Sequence, residues 1–154
     1  MTDLQISGAD RVVAGLTKLL DSAEEAQRAV IRPLGDRYVQ VLQDNTPVGR
    51  GEHPGRLRAS YQTDDQAYSA SGAHYRITNT TPYLRYVLNG RPGVTARPGG
   101  MLRFVIGGVV FFRKSVGPAA ANNFPPRVRQ AMQGQIDAAG PQMAGLIVKA
   151  YRGG

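Results

Sequence analysis

Residues 46–60 read Thr46-Pro47-Val48-Gly49-Arg50-Gly51-Glu52-His53-Pro54-Gly55-Arg56-Leu57-Arg58-Ala59-Ser60, and the handover made there decides the fold class. Pro47, Gly49, Gly51, Pro54 and Gly55 fall within this short loop, too many breakers for a helix or a regular strand to pass through. Before the loop, apolar residues recur at helical spacing. Ser7 or Asp10 suits the N-cap of a short first helix carrying Val12, Val13, Leu16, Leu19 and Leu20. Ser22-Ala23-Glu24-Glu25 has capping-box spacing and predicts a second helix over residues 23–44. Its face is Ala26, Val30, Leu34, Tyr38, Val41 and Leu42, with a kink or break at Pro33.

After the loop the character turns to β. Residues 57–63, 66–71 and 74–78 are rich in Tyr, Thr and Ile and predict a meander, with Asp64-Asp65 and Ser71-Gly72 as its turns. Residues 82–88 predict a short helix opened by Pro82 and closed by Asn89-Gly90. Residues 101–106 and 109–114 flank Gly107-Gly108, the pattern of a hairpin. This hairpin is the most apolar part of the chain, which predicts burial on both faces, in its own core or against a neighbour. Phe124-Pro125-Pro126 leads into a last helix with Val128, Met132, Ile136, Ala139, Met143, Leu146 and Ile147 on one side, broken or kinked at Pro141 and frayed from Tyr151. Helices, then strands, then a helix is the α+β order. The expectation is one domain over 1–154: helices about 8–44, a β-rich part about 57–116 and a C-terminal helix about 125–150.

Charge is divided along the chain. Residues 1–65 hold eight Lys/Arg against ten Asp/Glu; residues 66–154 hold eleven against the single acid Asp137. Such a field attracts nucleic acid or an acidic protein face, and it also serves to pair basic strands with acidic helices of the same or a neighbouring subunit. Arg outnumbers Lys sixteen to three, which favours planar, bidentate contacts. The absence of cysteine removes disulfides and thiolate chemistry. No apolar run is long enough to span a bilayer, and residues 1–7 lack the basic and apolar regions of a secretory signal, which together predict a cytoplasm-like setting and no membrane partner.

Catalytic constellations are hard to assemble from these residues. His53 and His74 each lack a second ligand at metal spacing. Glu24-Glu25 suits a helix start and Asp64-Asp65 a turn. Gly49-Arg50-Gly51 and Gly107-Gly108 lack the residues of a phosphate loop. Tyr61, Tyr68, Tyr75, Tyr83 and Tyr86 suit cross-strand and core packing better than base stacking. Asn79-Thr80-Thr81 fits the glycosylation acceptor pattern, which has no meaning without a secretory signal. The expectation is no enzyme, no cofactor and no metal.

Several segments, taken in order, resemble the tail-completion or neck proteins of tailed bacteriophages. They are Ile6-Ser7-Gly8, then Thr46-Pro47-Val48 with a Gly-rich spacer before Gly55-Arg56-Leu57-Arg58-Ala59-Ser60, then Pro82-Tyr83 and Tyr86-Val87 before Gly90, and Phe124-Pro125-Pro126-Arg127-Val128. The spacer is longer than the family's, no Thr precedes Gly55, Asn89 replaces an acid, and the order around Phe124 is altered. The resemblance covers nearly the whole chain. It implies a virion protein forming a ring of six copies at the head-tail junction, between head-completion or adaptor proteins and the tail terminator or tube, with passing genomic DNA as a transient contact. A tail terminator, another minor tail protein and a small basic nucleic-acid-binding protein are the alternatives.

The loops at 45–56 and 89–100 are the expected inter-subunit arms, since ordering Gly-rich loops is costly unless contacts offset it. Contact candidates are Arg50, Arg56, Leu57, Arg58, Tyr83, Tyr86, Arg91, Arg97 and Phe124. Arg56 and Arg58 in particular suit ion pairs with acidic helix positions of a neighbour.

Overall fold

The computed structural model describes residues 9–49, 53–69 and 71–152. Its elements in chain order are α1 (Ala9–Asn45), α2 (Arg56–Ala59), β1 (Tyr61–Ser69), β2 (Gly72–Asn79), α3 (Leu84–Asn89), β3 (Val94–Thr95), β4 (Leu102–Ile106), β5 (Val109–Arg113), β6 (Ser115–Val116) and α4 (Pro125–Arg152). The class is α+β, with three two-stranded sheets pairing β1 with β2, β3 with β6 and β4 with β5. The chain groups into two compact units. Unit 1 is Met1–Arg37, Asp65–Arg76 and Gln133–Gly154; unit 2 is Tyr38–Asp64 and Ile77–Met132.

In unit 1 the expected pair of N-terminal helices is a single element, since α1 continues unbroken past Ser22 and Pro33. Ser22 Oγ donates to the carbonyl of Lys18, one turn back, at 2.8 Å. A hydroxyl engaged in this way cannot cap a new helix. Pro33 removes one backbone donor, but the next turn is held from outside the helix. Gly35 is buried against the ring of Tyr75, and Tyr75 Oη donates to Asp36 Oδ1 at 2.5 Å. A Cβ at Gly35 would lie 2.5 Å from ring carbons of Tyr75, so Gly35→Ala is expected to destabilise the protein by about 1–3 kcal/mol through overpacking. Urea unfolding measures this, and a midpoint unchanged from the parent would contradict the packing. α4 likewise runs through Gly140 and Pro141 without a break. Unit 1 buries small residues, Ala26 and Ala139, while Val12, Val13, Leu16 and Leu20 of α1 stay exposed.

In unit 2 the segment after the breaker loop begins as a helical turn, where a strand was expected. Gly55 has φ 82°, the Ala59 amide donates to its carbonyl at 3.0 Å, and the turn buries Leu57. The strand begins only at Tyr61 and then runs nine residues, so Asp64 and Asp65 lie within β1 and not at a turn. Where β1 passes into unit 1, Ser69 Oγ at its end donates to the Gly72 carbonyl at the start of β2 at 3.0 Å. Asn79 closes β2 as an Asx turn: its Oδ1 accepts from the Thr81 amide at 3.0 Å while its Nδ2 donates to the Leu57 carbonyl at 3.0 Å.

The core of unit 2 gathers Leu42, Phe124 and Val128, packed by Tyr38, Val41, Tyr61, Ile77, Leu84, Val87 and Leu88. Thr46 seals the end of α1, donating to the Leu42 carbonyl at 2.6 Å and lying 3.1 Å from Tyr61 Oη. Desolvation by burial pushes the Tyr61 phenol above its ordinary range, against a smaller lowering by the Thr46 hydrogen bond. The folded pKa therefore exceeds the unfolded value near 10. This contribution to stability is whole below pH of about 10 and is lost as pH rises through the folded pKa. Tyr61→Phe is expected to flatten the alkaline fall of stability relative to the parent in pH-dependent urea titrations; parallel curves would contradict it.

Gly90 closes α3 at φ 75°, and a Cβ there would meet the Ala119 carbonyl oxygen at 2.6 Å. That close approach lets Arg91 and Ala119 exchange backbone hydrogen bonds, 3.0 Å each way. With Val94 opposite Val116 and the Ala96 amide donating to the Lys114 carbonyl at 2.7 Å, the expected arm at 89–100 is in large part tied to residues 114–119.

Candidate assembly interface

Two features of unit 2 are open to a partner. One is the β4–β5 hairpin. Gly107 and Gly108 take φ 58° and 82°, the paired left-handed values of a type I′ turn. The register sets Leu102 opposite Arg113, Arg103 opposite Phe112, Phe104 opposite Phe111, Val105 opposite Val110 and Ile106 opposite Val109. Side chains alternate across a strand, so Arg103, Val105, Val110 and Phe112 share one face. Leu102, Phe104, Ile106, Val109, Phe111 and Arg113 share the other, where the rings of Phe104 and Phe111 stack at 6.4 Å. The burial expected within the chain's own core is absent, because every residue of β5 is exposed.

The second feature is a recess of about 640 Å³. Leu57 and Val87 contribute to its lining, Tyr83 and Tyr86 give it aromatic surface, Arg56 and Arg91 bring guanidinium groups, and His53 adds an imidazole. Arg85 stacks on the Tyr86 ring at 4.6 Å and donates to its hydroxyl at 2.6 Å, which holds that ring in place.

Five of the contact candidates, Arg56, Leu57, Tyr83, Tyr86 and Arg91, thus meet around one recess. Leu57, 4% exposed, belongs to its floor. Arg50 lies outside the described residues. Arg58 turns to its own loop, donating to the Thr46 carbonyl at 3.4 Å. Arg97 is exposed away from the recess, in a turn closed by the Gly100 amide on its carbonyl at 2.9 Å. Phe124 is corrected outright: at 1% exposure it is a core residue with no surface to offer. His53, set aside as an isolated histidine, joins the recess, a neighbourhood that spacing along the chain does not reveal.

Unit 2 is also the source of the positive charge. It holds eleven Lys/Arg and three Asp/Glu, a net of +8, against eight of each in unit 1. Among the described residues no arginine of unit 2 is paired with a carboxylate; Arg127, for example, donates to Asn122 Oδ1 at 2.6 Å. No cluster of three or more His, Asp or Glu suited to a metal occurs among the described residues, and no described helix is long and apolar enough to cross a membrane. No protein-family model, curated protein or solved structure matches the chain.

Proposed function

We propose that this chain is a non-enzymatic structural subunit of a tailed-phage virion, assembling as a ring, of six copies by the resemblance, at the head-tail junction. The observation that carries the assembly reading is β5, whose Val109, Val110, Phe111 and Phe112 are all exposed in the isolated chain. An isolated two-stranded hairpin is marginal in water, and burying one such side chain is worth about 1.5–3 kcal/mol. A neighbouring subunit in a closed ring supplies that cover through a heterologous contact repeated around the symmetry axis. The ordered resemblance at residues 46–60, 82–90 and 124–128 supports the place in the virion, between head-completion and tail-terminator proteins.

A second reading, a small basic nucleic-acid-binding protein, is favoured by residues 77–132, which hold eight Lys/Arg and no acid. Sedimentation velocity over a concentration series, with negative-stain imaging, separates the two. The ring reading expects closed oligomers and weak attraction to duplex DNA. A monomer at every concentration, binding short duplex with an affinity that falls steeply with salt, favours the second.

A further inference from the structure

We propose that the recess of unit 2 is a docking site for an acidic peptide segment of a partner protein. The segment sets an apolar side chain against Leu57 and Val87 and a carboxylate beside Arg56 and Arg91. The size fits, since about 640 Å³ is within the range of about 300–1,000 Å³ for sites that enclose a small ligand or a side chain. Among the described residues the lining includes the cations Arg56 and Arg91, the imidazole of His53 and no carboxylate. Neither Arg56 nor Arg91 has a side-chain hydrogen bond or ion pair among the described residues. Arg85, which stacks on the lining residue Tyr86, does not itself line the recess.

An arginine left unpaired beside apolar and aromatic surface gains most from a carboxylate that meets it with two parallel hydrogen bonds. Tyrosine and arginine are also among the residue types enriched in binding hot spots. A peptide is favoured over a nucleic-acid strand because the apolar floor of a concave recess rewards a side chain that inserts. A phosphodiester backbone would leave that floor uncovered. The inference deepens the assembly reading and rests on it only for where the partner sits, on an adjoining protein of the junction. The peptide measurement below is made on single chains, so a failure of ring formation leaves it intact.

The test is fluorescence anisotropy of the full chain with a fluorescein-labelled dodecapeptide of Asp and Gly around a central Phe-Leu pair. The same peptide with Lys for Asp and an oligo-dT of twelve nucleotides are the comparisons. The Asp peptide is expected to bind one per chain and the Lys peptide not at all. Arg56→Glu, Arg91→Glu and Tyr86→Ala should each weaken binding by about tenfold or more. Arg113→Glu and Arg129→Glu, with the same charge change outside the recess, should weaken it by less than about threefold. Circular dichroism melts check that each variant is folded. Absence of Asp-peptide binding overturns the proposal, as does equal weakening by charge reversals inside and outside the recess. Displacement of the peptide by oligo-dT at equal affinity also overturns it, making the recess part of a nucleic-acid groove.

Discussion

Val110→Ser combined with Phe112→Ser is expected to leave the protein folded and to abolish its self-association. Both side chains share one face of the β4–β5 hairpin and are 42% and 59% exposed, so their loss costs the isolated chain little, about 0.5 kcal/mol each. The Phe104–Phe111 stack on the opposite face is untouched. In the proposed ring each subunit would present this face to a neighbour. Burying two large apolar side chains is then worth about 3–6 kcal/mol per interface, or roughly two to four orders of magnitude in the association constant. Sedimentation velocity should show the double variant as a monomer at concentrations where the parent is expected to form the proposed ring, with melting curves that nearly coincide. A variant that assembles like the parent would remove the hairpin from the interface.

Phe124→Ala is expected to lower stability by about 3–5 kcal/mol, the usual cost of truncating a buried phenylalanine. Phe124 lies against Leu42 and Val128 at the head of α4. Its backbone closes the turn into the helix, with its amide donating to the Asn122 carbonyl at 3.0 Å and its carbonyl accepting from the Val128 amide at 3.1 Å. Native domains are stable by only about 5–15 kcal/mol, so the loss is a large fraction of the total. The prediction also separates two roles for one residue. A surface contact at Phe124 would weaken assembly and leave urea unfolding unchanged; a core residue lowers the urea midpoint.

The Gly107-Gly108 hairpin and the helix from Pro125 were legible in the sequence because local chemistry decides them. A turn with two left-handed positions needs glycine there, and a 3.6-residue repeat needs no partner to be seen. The class was legible for the same reason, since breakers at 46–55 separate helical from alternating patterns. What failed was decided by contacts distant in sequence. Ser22-Ala23-Glu24-Glu25 has the spacing of a cap, yet Ser22 bonds back to Lys18 within a continuous helix whose next turns are held by Tyr75, 40 residues from Gly35.

Leu57 alternates like a strand residue but is drawn into a helical turn by the left-handed Gly55 before it and the burial of its own side chain. Of the candidate interface, the arginines and tyrosines of the recess were readable as types, and their convergence was not. Arg56 and Arg91 are brought together by the fold of unit 2, and His53 carries no motif to mark it. Apolar content in β5 predicted burial, yet every residue of the strand is exposed in the chain itself, because a local apolar run does not say what, if anything, covers it.

The central claim, a ring subunit joining head to tail, is tested most directly by electron microscopy of phage particles produced with this chain truncated by an early stop codon. The account predicts DNA-filled heads beside separate, unattached tails, with joining restored when the parent protein is supplied. Intact, infectious particles lacking the chain would contradict it.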